Sequence, residues 1–358
     1  MIKYLGSKRR LLPVIVAGAR ALMPEGGRAL DLFSGTSRVG HALKGAGFHV
    51  TANDQLAYAA TLARCYVAAD AGRWEAPAKA LLRELATVPA APGYFTRTFC
   101  EEARFLQPKN GARVDAIRER IAALALEPAL EAIALTALME AADRVDSTTG
   151  VHMAYLKRWA ARSHKELSLR LPALLPGEGV ALEGDARDAA AAVDADLAYL
   201  DPPYNQHSYL GNYHLWETLV RWDAPEAYGV ARKRVDVRER KSDFNSKRRI
   251  GEAFCRVVDA LRATRLLVSQ SDEAYLSPDA VTEMLATKGH VGVVAIDTKR
   301  YVGAQIGIHD PRGRRVGTVK KLRNQELLFA VAPTREEVAR ACEAMSMAAG
   351  PARVGAAS

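Results

Sequence analysis

RALDLFSGTSRVGHALKGAGFHVTAND, residues 28–54, is the stretch from which the fold is read. Arg28 to Phe33 is a short apolar run, and Ser34 to Gly40 is a turn of small residues. Val39 to Ala46 has helical spacing, and Phe48 to Asn53 is a second strand-like run that ends at Asp54. Strand, tight turn, helix and strand make a βαβ unit, so a parallel sheet covered on both faces is expected. The turn holds only Gly35 and Gly40, so it is neither the dinucleotide pattern GxGxxG nor a phosphate-binding P-loop. Small residues there let backbone approach a ligand closely and turn at once into a helix. Asp54 follows Gly35 by 19 residues (54 − 35), the usual spacing of an acid that binds ribose hydroxyls. An ordinary surface turn followed by an acid has the same look, so the pair needs company.

That company lies downstream. Leu197 to Leu200 is an apolar strand, followed at once by Asp201-Pro202-Pro203-Tyr204. Open parallel sheets bind ligands at the carboxyl ends of their strands, which is where this tetrapeptide falls. An exocyclic amine on adenine or cytosine is a poor nucleophile because its lone pair is delocalised into the ring. The Asp201 carboxylate and the Pro202 carbonyl can accept hydrogen bonds from the two amino protons and expose that lone pair. Two prolines fix φ and stiffen the turn. Tyr204 offers a flat surface on which an extruded base can stack. A third acid, Asp185 in Glu183-Gly184-Asp185-Ala186, ends a strand 16 residues before Asp201 (201 − 185). The segment Asn205 to Trp216 (NQHSYLGNYHLW) is rich in aromatics and amides that could line a base pocket, with His207 and His214 read as structural.

Further outward, residues 71–177 read as a largely helical insertion. Val114 to Leu126 and Glu131 to Asp146 are the clearest helical runs, with Pro77, Pro89, Pro92, Pro108 and Pro128 as punctuation. Strand runs return at Val180 to Glu183, Leu266 to Ser269, Val291 to Ile296 and Leu327 to Val331. The α/β core is therefore expected over residues 1–70 and 178–335, split by the insertion. Tyr301 to Val319 reads as a hairpin with HDPRGR as its turn. Thr334 and Glu337 form a capping box, and residues 346–358 are expected to be a flexible tail.

Composition narrows the classes. The chain has 358 residues, 49% of them apolar and 25% charged, which excludes a disordered polymer. Apolar runs fall well short of the ~18 residues that span a bilayer. Lys8-Arg9-Arg10 before Leu11 to Ala19 imitates a signal peptide, but Arg20 breaks the run, so a short amphipathic helix and a cytoplasmic protein are expected. Cys65, Cys100, Cys255 and Cys342 lie far apart, so neither a disulfide framework nor a bound metal is expected. The net charge of +9 attracts polyanions. Residues 232–249 hold nine Lys or Arg against three acids, including Arg232, Lys233, Arg234, Lys241, Lys247, Arg248 and Arg249. A second basic group comprises Lys299, Arg300, Arg312, Arg314, Arg315, Lys320, Lys321 and Arg323. Such clusters suit contact with backbone phosphates and carry no sequence information.

Together these motifs resemble the D12-class, Dam-like adenine-specific DNA methyltransferases. Lys3-Tyr4-Leu5-Gly6-Ser7-Lys8 is similar to the family's leading cofactor motif, and DLFSGTSRVG to its methionine-binding loop. The resemblance implies a Rossmann-like fold that binds S-adenosylmethionine through Tyr4, Lys8, Asp31, Phe33, Ser34, Gly35, Thr36, Asp54, Asp185, Ala186 and Asp201. It implies catalysis by Asp201 to Tyr204, and it places target recognition in double-stranded DNA on the helical insertion. A cognate restriction enzyme is a further expected partner. One departure is Ser37, which stands where the family usually has a second glycine. Methylation of cytosine at carbon 5 is excluded, since it needs a nucleophilic cysteine typically preceded by proline, and no Pro-Cys pair occurs. N4-cytosine methylation, RNA adenine methylation and a catalytically dead nucleic-acid-binding module stay open as alternatives. A protein-glutamine methyltransferase fits less well, because such enzymes prefer Asn at position 201.

Overall fold

The computed structural model describes residues 1–299, 308–309, 315–317, 323–350 and 354–355. Its central sheet begins with the βαβ unit: β1 (Arg28–Asp31), the helix Arg38–Gly45 and β2 (His49–Asp54). β3 (Val180–Glu183), β4 (Leu197–Leu200), β5 (Arg265–Ser271), β6 (His290–Lys299), β7 (Arg323–Ala332) and β8 (Val354–Gly355) complete it. The strand order is β3-β2-β1-β4-β5-β7-β6-β8. β1 to β5 run parallel, while β7 lies antiparallel between β5 and β6. The chain leaves β1 in one direction across the sheet and returns to β4 on the other side. A Rossmann-like sheet has its ligand crevice at such a reversal, beyond the carboxyl ends of β1 and β4. Those ends are Asp31 and Leu200, the latter followed at once by Asp201.

Between β2 and β3 the long elements among the described residues are the helices Ala71–Thr87, Pro108–Ala123 and Pro128–Arg144, while 145–179 is irregular apart from one short helical turn at Ala161–His164. Pro108 and Pro128 each sit in the first turn of a helix, where their missing N–H is no loss. These helices share one apolar core with Tyr58 and Leu62 of helix Ala57–Ala63, and with Trp216 and Leu219 of helix Tyr209–Arg221. Polar ties cross the same seam. The Lys3 ammonium pairs with Asp146 at 2.7 Å, and the Arg118 Nε–H donates to the Leu219 carbonyl at 3.0 Å. The helical region is thus fastened to the sheet rather than hung from it.

The capping box forms: the Thr334 hydroxyl accepts from the Glu337 N–H while the Glu337 carboxylate accepts at the cap. The helix it opens runs from Arg335 to Ala349 and so takes in residues 346–349, which the sequence reading assigned to a flexible tail. Burial explains the correction. Met345 and Ala349 enter the same core as Ile15, Ala19 and Leu22 of the helix Leu12–Leu22, and that gain outweighs fraying. Ile308–His309 pairs antiparallel with Arg315–Gly317, so the arms of the expected hairpin meet. Its turn, 310–314, lies outside the described residues.

Candidate active site

At the crevice between β1 and β4 lies a cavity of about 380 Å³. Every residue singled out for cofactor binding borders it: Tyr4, Lys8, Asp31, Phe33 to Thr36, Asp54, Asp185, Ala186 and Asp201. The turn is built by local sequence. Gly35 has φ +51°, and a side chain there would also press on the Tyr4 ring, its Cβ 3.3 Å from the ring edge. Ser37 is left-handed too, with φ 57°, at the position where the family usually has glycine. The Gly35 N–H donates to the Asp54 carboxylate at 2.9 Å, and the Leu56 N–H donates to its other oxygen at 3.0 Å. β2 thereby holds the turn in place. Burial pushes the Asp54 carboxyl up to about 6 despite these donors.

Asp31 is 1% exposed, and one of its oxygens accepts the Gly40 N–H at 2.8 Å. Its other oxygen is buried with no hydrogen-bond partner. Burial raises this carboxyl to about 7. Asn53, which the sequence reading passed over, also borders the cavity with an unpartnered amide oxygen. Its amide nitrogen ties the ends of β1 and β3 together, donating to the Leu32 and Gly184 carbonyls at 3.2 Å each.

On the opposite wall stands Asp201. The ammonium of Lys8 lies 3.0 Å from Asp201 Oδ1 and 3.3 Å from Glu326 Oε2, and Lys8 is only 5% exposed. Burial raises Asp201 to about 6, with Lys8 pulling it down and Glu326 pushing it up. Lys8 therefore serves the tetrapeptide carboxylate as well as the cofactor wall for which the sequence singled it out. The Tyr204 ring is centred 5.8 Å from the same ammonium, and the Tyr275 N–H donates to the Tyr204 carbonyl at 2.9 Å. Gly6, with φ +73°, leaves room beside the Tyr209 and Tyr204 hydroxyls, which would stand 3.2 and 3.9 Å from a Cβ there. Tyr209 continues into a ring stack with Tyr4 and Tyr213. The aromatic segment divides accordingly: Ser208, Tyr209 and Leu210 face the cavity, while Tyr213, His214 and Trp216 are buried in the core. His207 is exposed.

The basic segment splits as well. Lys241, Lys247, Arg248 and Arg249 are exposed, Lys241 at the rim of the cavity. Arg232 and Lys233 are half-buried, Arg232 paired with Glu102. Arg234 corrects the expectation of phosphate contact. It is 4% exposed, clamped by both oxygens of Asp223 at 2.7 Å and by Asp236. A guanidinium so enclosed has no donor left to reach a phosphate. Arg234→Ala should therefore lower folding stability by about 2 kcal/mol and leave the salt slope of polyanion binding unchanged. Lys247→Ala should reduce that slope by about 1, as checked by binding titrations at several salt concentrations beside a melting curve. Arg312 and Arg314 lie outside the described residues, as does the side chain of Arg315. Among the described residues no group of three His, Cys, Asp or Glu could hold a metal ion, and no helix is long and apolar enough to cross a membrane.

A family model described as D12 class N6 adenine-specific DNA methyltransferase matches residues 4–284. Modification methylase StsI of Streptococcus sanguinis is 27% identical over 324 residues, covering 84% of this chain and 48% of the relative. Type II methyltransferase M.FokI of Planomicrobium okeanokoites is 29% identical over 309 residues, covering 80% and 47%. Type II methyltransferase M.NlaIII of Neisseria lactamica is 29% identical over 285 residues, covering 76% and 83%. The chain thus spans about half the length of the first two relatives and most of the third. No solved structure matches it.

Proposed function

The chain belongs to the D12 class of N6 adenine-specific DNA methyltransferases, and on that premise we propose that it methylates N6 of adenine within a specific sequence of double-stranded DNA. The observation that carries this reading is one cavity bordered by both the Asp31–Thr36 turn and Asp201. A cofactor and a base amine can meet there.

S-adenosylmethionine fits the residues present, and it supplies an electrophilic methyl group on a sulfonium. Asp31 has a buried, unpartnered oxygen suited to an ammonium, and Gly35 leaves a cradle that a side chain would close. Asp54 suits ribose hydroxyls, and Asp185 with Ala186 would border the adenine. On the substrate side Asp201 and the Pro202 carbonyl accept hydrogen bonds from the two amino N–H groups of the flipped base. That localises the nitrogen lone pair without any covalent bond to the chain. Tyr204 stacks on the base. We assign target recognition to the helices between residues 71 and 177, and phosphate contact to Lys241, Lys247 and Arg248. The relatives' names, modification methylase and type II methyltransferase, support a protective role beside a restriction enzyme of the same site.

Asp31 sets a pH dependence. Protonation removes its charge, so a cationic ligand group binds more weakly as pH falls through about 7. Affinity for S-adenosylmethionine should rise about tenfold between pH 6 and 8, and Asp31→Asn should flatten that profile in titration calorimetry. The activity itself is tested by incubating the purified chain with methyl-labelled S-adenosylmethionine and double-stranded DNA, single-stranded RNA or protein. Label on the duplex is the expected result. Saturable cofactor binding with no transfer to any acceptor would contradict the proposal, and label on RNA alone would move it to RNA.

A further inference from the structure

Glu326 lies on β7, beyond residues 4–284 covered by the family model, and no motif in the sequence pointed to it. Its backbone is fixed by the sheet, opposite Ser271 of β5 and Ile296 of β6. Its carboxylate accepts a hydrogen bond from Lys8, the same ammonium that pairs with Asp201. We infer that Glu326 is a positioning residue that keeps hold of the Lys8 ammonium when the target amine takes over Asp201. The inference rests on the methylation reading above.

The argument is one of shared occupancy. Lys8 Nζ stands 3.0 Å from Asp201 Oδ1, where an incoming amino group must also bond. Lys8 is 5% exposed, so it has no water to retreat into. A buried ammonium stripped of its only partner is strongly unfavourable. Glu326 Oε2 is already 3.3 Å away, so Lys8 can give up Asp201 by a small shift and remain paired. With Glu326 neutral, Lys8 would cling to Asp201 and the base would compete for it at a disadvantage.

The charges facing these groups make the idea testable. Asp201 feels Lys8 and Glu326, and Lys8 feels Asp201, Glu326, Tyr204 and Tyr199, while the Asp31 carboxyl and the Tyr209 hydroxyl also face Asp201. Glu326 raises Asp201, so removing its charge should move the acid limb of methyl transfer to lower pH. The experiment measures single-turnover transfer to double-stranded DNA from pH 5 to 9, with S-adenosylmethionine affinity in parallel. It uses the full chain, Glu326→Gln and Glu326→Asp. For Glu326→Gln we expect transfer at pH 7.5 slower by about tenfold, cofactor affinity within about twofold, and an acid limb below that of the unaltered chain. Glu326→Asp should keep the limb in place and recover most of the rate. An unaltered rate and limb in Glu326→Gln overturns the inference, as does a slower rate with the limb unmoved, which marks a mere strut. Should Glu326→Gln not fold, Glu326→Ala decides in its place: slower transfer with the limb moved to lower pH supports the inference, and an unmoved limb overturns it. Failure of the unaltered chain to methylate DNA would instead count against the functional reading.

Discussion

Asp201→Ala lowers single-turnover methyl transfer by about 1000-fold or more, while affinity for S-adenosylmethionine changes by less than about threefold. Two features make the effect so lopsided. The carboxylate is the only charged acceptor in the tetrapeptide Asp-Pro-Pro-Tyr, so without it one amino proton loses its partner and the nitrogen lone pair stays in the ring. The cofactor wall stands on other residues, notably the turn fastened by Asp54 and the open oxygen of Asp31. The fold should tolerate the change as well. Lys8 loses Asp201 but keeps Glu326 at 3.3 Å, so no buried ammonium is left alone. Rapid-quench transfer assays and calorimetry on the same preparation check both halves. A variant with more than a tenth of the normal rate would remove Asp201 from the chemistry. Loss of cofactor binding in step with rate would make it a binding residue.

Lys8→Met has the second largest effect, and its pH signature is opposite to that of Glu326→Gln. Asp201 already titrates near 6 because burial disfavours its charge, and Lys8 is the group holding it down. Removing that cation leaves Asp201 and Glu326 as two half-buried carboxylates facing the same space, so the Asp201 carboxyl rises further. A protonated Asp201 presents one acceptor fewer to the amine. Transfer at pH 7 should fall by about 100-fold and recover in part towards pH 9. Adding Glu326→Gln to Lys8→Met should restore part of the rate at pH 7, because it removes the repulsion. A Lys8→Met profile parallel to that of the unaltered chain would mean the lysine does not control the Asp201 proton.

What was legible in the sequence was local and contiguous. The βαβ opening, the glycine turn, the acid at Asp54 and the tetrapeptide at Asp201 are each spelled within a few residues, and backbone geometry fixes what such strings do. The two clearest helices within the helical region were legible from their spacing, although their starts shifted to the prolines at Pro108 and Pro128. What was not legible depends on contacts between distant residues. Lys8 meets Asp201 across 193 positions (201 − 8) and meets Glu326 across 318, and no pattern announces either meeting. Arg234 looks like its basic neighbours in a string of letters. Only the fold shows that Asp223 and Asp236 have enclosed it. The C-terminal stretch read as a flexible tail because alanine and glycine carry little pattern. Its first residues nonetheless extend a helix whose apolar face the sheet's flanking helix had left to be covered.

The most direct measurement identifies the methylated nucleoside. Duplex DNA of mixed sequence is incubated with the purified chain and methyl-labelled S-adenosylmethionine, digested to nucleosides and resolved by mass spectrometry. The account predicts label in N6-methyldeoxyadenosine, absent from the product of the Asp201→Ala variant. Label in N4-methyldeoxycytidine would keep the amine chemistry at Asp201 and contradict the base assignment. Label in 5-methyldeoxycytidine would contradict the mechanism altogether.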